Sequence, residues 1–421
     1  MSEGNVAPPT CLERLEPRRL LSDVIAVGWE FQVNTFTTSG QRFPSIAADA
    51  DGDFVVAWES IGKDGSGFSA HAQRYNNGGV PQESEFGVNT YTTGNQSAPS
   101  VAIDVDGDFV VAWGSDGQDG SISGIYAQRY NSAGVTQGAE FRVNNYTTGN
   151  QNSPQVAMDS AGDFVVAWTS SGQDGSVDGV YAQRYNATGV AQGAEFNVNT
   201  YTSGTQSFPT VAMDSAGDFV IGWMSNLEDG SGYGIYAQRY NAAGIPQGGE
   251  FRDNTYTTGN QGLGFSGGGP SVAMDSVGDF VVTWMSTGAQ DGSGDGIYSQ
   301  RYDAAGLPQG GEFRVNTFTT DNQRTTSVAM DAEGDFVVVW LSKLQDGSSY
   351  GVYSQRFNAA GVAQGSEFKV NTYTTDGQFD PTVAMDSAGD FVVAWYGSVG
   401  HDGSGYGVYA QRYAVVPEVT A

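Results

Sequence analysis

The chain has 421 residues, of which 60 are Gly and only 15% are charged, and Asp and Glu outnumber Lys and Arg by 47 to 18 for a formal charge of −29. Aromatics at 12% argue against disorder, the acidic balance speaks against nucleic acid as a partner, and no stretch approaches the ~20 apolar residues of a membrane span. One cysteine, Cys11, and two histidines, His71 and His401, exclude an internal disulfide and a Cys-based zinc site.

Residues 1–29 lie outside the repeats that follow. The stretch from Leu12 to Ser22 is the only basic patch in the chain, and it lacks the apolar core of a secretory signal. Within it, Leu15-Glu16-Pro17-Arg18-Arg19-Leu20-Leu21 resembles the LEPR-XLL segment, a short N-terminal motif of large, often secreted or surface-located bacterial proteins. The resemblance implies a sorting or export signal and an extracellular or cell-surface location.

Seven near-copies of one unit fill residues 30–413, and 414–421 form a tail. The anchors are Trp58, Trp113, Trp168, Trp223, Trp284, Trp340 and Trp395, spaced by 55, 55, 55, 61, 56 and 55 residues. The 61-residue step coincides with a Gly-rich lengthening over 262–269. In the third copy a strand over 154–159 leads through an Asp-Gly turn to Phe164-Val-Val-Ala-Trp168, a β-branched run without helical period. A longer loop with Asp174-Gly-Ser176 precedes a strand over 179–185, and a second turn leads to a strand over 195–201.

Four antiparallel strands per unit, repeated, predict an all-β, seven-bladed β-propeller in one domain. The phase of the ends predicts closure. The first repeated segment, Glu30 to Phe36, is a fourth strand, whereas the last, Gly407 to Tyr413, is a third strand. Pairing them completes the seventh blade, hides two sheet edges and leaves a monomer. The unit, D-x-x-G-D-F-V-V-x-W followed by Q-D-G-S and A-Q-R-Y, is similar to repeats of long bacterial extracellular proteins, which implies a binding or structural role.

Three sets of residues are candidate sites. The first turn begins and ends with Asp in every copy, and two copies are denser: Asp49, Asp51 and Asp53, and Asp104, Asp106 and Asp108. Alternating carboxylates suit Ca²⁺, and the same residues also suit a tight turn in which Asp accepts backbone N–H bonds. The second loop carries Asp64 and its six equivalents, expected as a carboxylate ring around the axis or as caps of their own loops. Phe68, Tyr233, Tyr350 and Tyr406 in that loop, with Phe265 on the lengthened one, are candidate stacking platforms for a glycan or protein. The recurrent Arg of A-Q-R-Y is expected to pair with a carboxylate as a strut.

Near-identical loops favour a non-enzymatic binding, adhesion or structural module, without a cofactor unless Ca²⁺ binds. The alternative is a carbohydrate-active hydrolase or lyase with an acidic axial site.

Overall fold

The protein is described here by a computed structural model over residues 24–262, 268–288, 290–398, 403 and 405–416. The described residues form seven antiparallel four-stranded sheets and no helix, so none is long and apolar enough to cross a membrane. The basic segment over 15–21 and Phe265 lie outside the described residues.

In six blades the strands follow chain order from the axis outward, as in Gln151–Met158, Phe164–Ser171, Asp178–Tyr185 and Phe196–Asn197. The seventh sheet joins Gln378–Met385, Phe391–Gly397 and Gly407–Val415 to the N-terminal strand Val24–Gln32, which closes the ring. That strand starts six residues before the expected repeat boundary, because pairing resumes beyond a bulge at Gly28, where φ is +74°.

The second strand is buried on both faces, and its Trp is fully buried in every blade. This follows from where the cores lie. Each of the seven apolar clusters spans two blades: Val110, Ala112 and Ile125 of blade 2 meet Val156, Phe164 and Trp168 of blade 3. Removing such an aromatic side chain costs about 3–5 kcal/mol. Within each blade the Phe that opens strand two stacks on the aromatic residue that ends strand three, as in Phe109 on Tyr130 at 4.7 Å.

Fourth strands are shorter than their alternation suggests, with two residues in the ladder in four blades. In every blade the ladder ends two residues before an Asn that bonds strand three instead. Asn199 Oδ1 accepts from the Val180 N–H at 2.7 Å while its Nδ2 donates to the Tyr201 carbonyl at 2.8 Å. The recurrent Arg also finds a different partner. Arg184 donates to the carbonyls of Ala242 and Ala243, and Arg239 to that of Ala305, on the next blade's outer turn. A carbonyl on a rigid turn suits the guanidinium fork as well as a carboxylate would.

One core position breaks the repeat. Val33, Val88, Val143, Val198, Val315 and Val370 are buried, but blade 4 has Asp253 at the same place. Burial pushes its carboxyl up to about 8, and the nearby Tyr302 hydroxyl makes no well-formed hydrogen bond to it. A carboxyl raised from 3.8 contributes stability that is complete below pH 3.8 and lost as pH rises through about 8. Asp253→Val should therefore stabilise the ring by about 1–3 kcal/mol at neutral pH, the cost of a poorly satisfied buried polar group. Thermal melts at pH 5 and pH 9 should show the gain increasing at the higher pH.

Candidate functional site

The innermost strand of each blade ends at the axis, so the turn after it surrounds the axial mouth. A cavity of about 210 Å³ lies there, and its rim carries the first Asp of that turn from every blade: Asp49, Asp104, Asp159, Asp214, Asp275, Asp331 and Asp386. Met158, Met213, Met274, Met330 and Met385 add apolar wall. The axial carboxylates therefore belong to the first turn, not to the second loop. There Asp64 instead accepts the Ser66 N–H at 3.0 Å, capping its own loop, because the middle strands emerge farther from the axis.

Each rim carboxyl has two unlike oxygens. Oδ1 is committed to its own turn: in Asp331 it accepts the N–H of Glu333 at 3.1 Å and of Asp335 at 2.9 Å. Oδ2 faces the neighbouring blade, where a Cβ added to Gly52 would lie 2.8 Å from Asp386 Oδ2 and one on Gly162 would lie 2.9 Å from Asp104 Oδ2. That approach and a positive φ explain why the turn needs Gly. Burial raises all seven carboxyls above the ordinary Asp range, opposed by the turn's own N–H bonds. Asp331 is pushed up to about 6, with Asp335 and Glu333 adding repulsion to burial.

The six Asp residues considered for calcium separate into three roles. Asp49 and Asp104 belong to the axial rim. Asp53 and Asp108 accept the N–H of Asn77 and Ser132 at 2.7 and 2.8 Å, tying the two turns of a blade together. Asp51 and Asp106 are exposed. Among the described residues, no three or more His, Cys, Asp or Glu are grouped to hold a metal.

The loop aromatics pack against neighbours. Phe68 lies under the Arg42 guanidinium at 4.5 Å, and the same guanidinium is 4.9 Å from Phe43. Tyr406 meets Tyr396 edge-on at 5.4 Å, and Tyr350 lies 6.3 Å from Phe379. These three belong to one tract across blades 6, 7 and 1, whereas Tyr233 packs apart, against the blade 4–5 cluster.

Sequence reasoning missed the charged groups that occur in single blades. Glu59, buried at 2%, accepts from Arg42 Nε at 2.6 Å, and Arg324 pairs with Asp295. In blade 4, Glu228 stands where Gln118, Gln173, Gln290 and Gln345 donate to strand-four Glu residues at 2.5–2.7 Å. Burial, and then the carboxylates of Glu250 and Asp229, push Glu228 up to about 7. The signal for each is a one-blade departure from the repeat.

Because the Glu228 carboxyl is raised from 4.5, the stability it contributes is present below that pH and lost as pH rises through about 7. Glu228→Gln restores the bond found in other blades and should add about 1 kcal/mol at pH 8. Melting curves of the two proteins should converge at pH 4.5.

No family model matches the chain, and no curated protein matches it by sequence. Solved structures do match. A protein of unknown function from Dyadobacter fermentans superposes with a TM-score of 0.53 at 12% identity, covering 93% of this chain and 99% of its own. The α-L-arabinanase of Penicillium chrysogenum, complexed with arabinobiose, gives 0.50 at 14% identity, covering 91% and 98%. An α-L-arabinofuranosidase from Fusarium graminearum, in complex with an iminosugar inhibitor, gives 0.51 at 11%, covering 94% and 100%. At these identities the likeness shows the fold. It also corrects the expectation of a non-enzymatic module, which rested on like blades favouring binding over catalysis: the propellers matched over nearly their whole length include an arabinanase and an arabinofuranosidase.

Proposed function

We propose that the protein is a carbohydrate-active enzyme that cleaves glycosidic bonds at the acidic axial mouth. The observation that carries this reading is the ring of seven carboxyls around the 210 Å³ cavity, with Asp331 raised to about 6 among them. Cleavage of a glycosidic bond needs one carboxyl that delivers a proton to the leaving oxygen and a second, ionised, that activates water or attacks the sugar. Asp331 suits the first role through Oδ2, which its turn does not use, and the neighbouring Asp275 or Asp386 suits the second. The volume lies below the roughly 300–1,000 Å³ of ordinary ligand sites, which favours a single terminal sugar over a long chain segment. The arabinobiose and the iminosugar inhibitor bound by the matched propellers support a saccharide.

Asp331→Asn keeps the Oδ1 acceptor and so preserves the turn while removing the transferable proton. Release of reducing sugar from arabinan and a panel of other plant and bacterial polysaccharides should fall at least ~100-fold in this variant, a typical loss for a general acid. The wild-type rate should decline as pH rises through about 6, because the protonated form is the active one. Absence of turnover across the panel, or an unchanged rate in Asp331→Asn, would refute the proposal. The LEPR-XLL-like segment supports export, so the substrate would be met outside the cell.

A further inference from the structure

The other end of the axis carries a second cavity, of about 240 Å³, on the side where blades 3 to 6 meet the lengthened loop. From its lining we infer a subsite for an uncharged saccharide, formed by Gln155, Phe208 and the foot of that loop. The inference rests on the carbohydrate reading but concerns a different place and a different property, the charge class of the sugar.

Gln155 occupies a position that is a hydroxyl residue in every other blade. There the hydroxyl commonly bonds the next blade: Ser45 Oγ accepts from Val101 N–H at 3.1 Å, Ser100 Oγ from Val156 N–H at 3.1 Å, and Ser271 Oγ from Val328 N–H at 3.2 Å. Gln155 has left that role. Its exposed side chain lines the cavity, and no hydrogen bond joins it to the described residues.

Phe208 lies beside it in a strained backbone conformation, with φ of +52°, its N–H bonded to Thr169 Oγ1 at 3.1 Å. The end of the lengthened loop is pressed onto it. A Cβ on Gly269 would lie 2.6 Å from the Phe208 carbonyl oxygen and 2.8 Å from its Cβ, so only Gly fits. The loop that breaks the sevenfold pattern therefore has its foot on the aromatic residue of this cavity.

The chemistry is that of a neutral polyol. An amide that can donate and accept, an aromatic side chain and the hydroxyls of Ser153 and Ser327 surround the space, and no ionisable residue lines it. The Arg residues that stand at the place of Asn152 in two other blades are engaged, Arg42 with Glu59 and Arg324 with Asp295. A uronic acid would find no free cation here, on a protein of charge −29.

The test measures binding rather than turnover, by titration calorimetry with arabinotriose and trigalacturonate on the wild type, Gln155→Leu, Phe208→Ala and Asp331→Asn. Arabinotriose should bind at least ~10-fold more tightly than trigalacturonate, and Gln155→Leu should weaken it about 10-fold, the loss of one amide hydrogen bond to the sugar. Gln155→Leu should keep the wild-type melting temperature, since the amide supports no structural bond. Asp331→Asn should bind arabinotriose normally while losing turnover. Equal affinity for the charged sugar, unchanged affinity in Gln155→Leu, or no saccharide binding would overturn the subsite. Turnover with affinity independent of Gln155 would leave the hydrolase reading standing, and Gln155-dependent binding without turnover would leave only the subsite.

Discussion

A blade of this protein has two apolar faces and cannot cover either alone. Everything else in the structure depends on that. The paired valines and the Trp of strand two are buried only because a neighbour lies on each side, and that condition is met at both ends only by a closed ring. The polar contacts reinforce the same seams. The axial Asp points one oxygen at the adjacent turn, and the recurrent Arg reaches the next blade's outer turn.

Because the seams require the repeat, most variation collects where they do not, at the two axial mouths and in the loops, with Asp253 as the exception inside a seam. The first mouth is nearly sevenfold, so any chemical distinction among its carboxyls comes from their neighbours. Asp331 differs from Asp159 and Asp214 first in its deeper burial, to which Glu333, where those turns have Ala161 and Ala216, adds repulsion. The other mouth varies in the side chains themselves, with Gln155 and the lengthened loop confined to one arc. A carbohydrate-active reading thus assigns proton transfer to the repeated end and selectivity to the irregular one.

The fold was legible to the level of strands and closure, because the Trp spacing reports burial and the phase of the two ends reports the missing strand. The site was less so. The second-loop Asp residues read either as an axial ring or as caps of their own loops, and Asp64 is a cap; distance from the axis depends on which strand a turn follows, and a repeat period carries no radial information. The Arg partner was misjudged because a backbone carbonyl leaves no trace in sequence. Glu228, Asp253 and Gln155 were each visible as a departure in one copy, yet only the three-dimensional neighbourhood gives Asp253 a buried acid's meaning and Gln155 a cavity.

Closure by the N-terminal strand also sets an order of events during synthesis. Val24–Gln32 is made first and pairs with Gly407–Val415, which is made last; Thr372 N–H to Glu30 at 2.6 Å spans 342 residues. At about 5–20 residues per second, the first strand waits roughly 20–80 s for its partner. Through that interval six blades can assemble, one after another, while an edge with Trp29 89% exposed beside it stays open to stray pairing. The final step is a long-range contact, slow because of the loop it closes, so the yield of native ring should depend more on chaperone cover and temperature during that wait than on the stability of any blade.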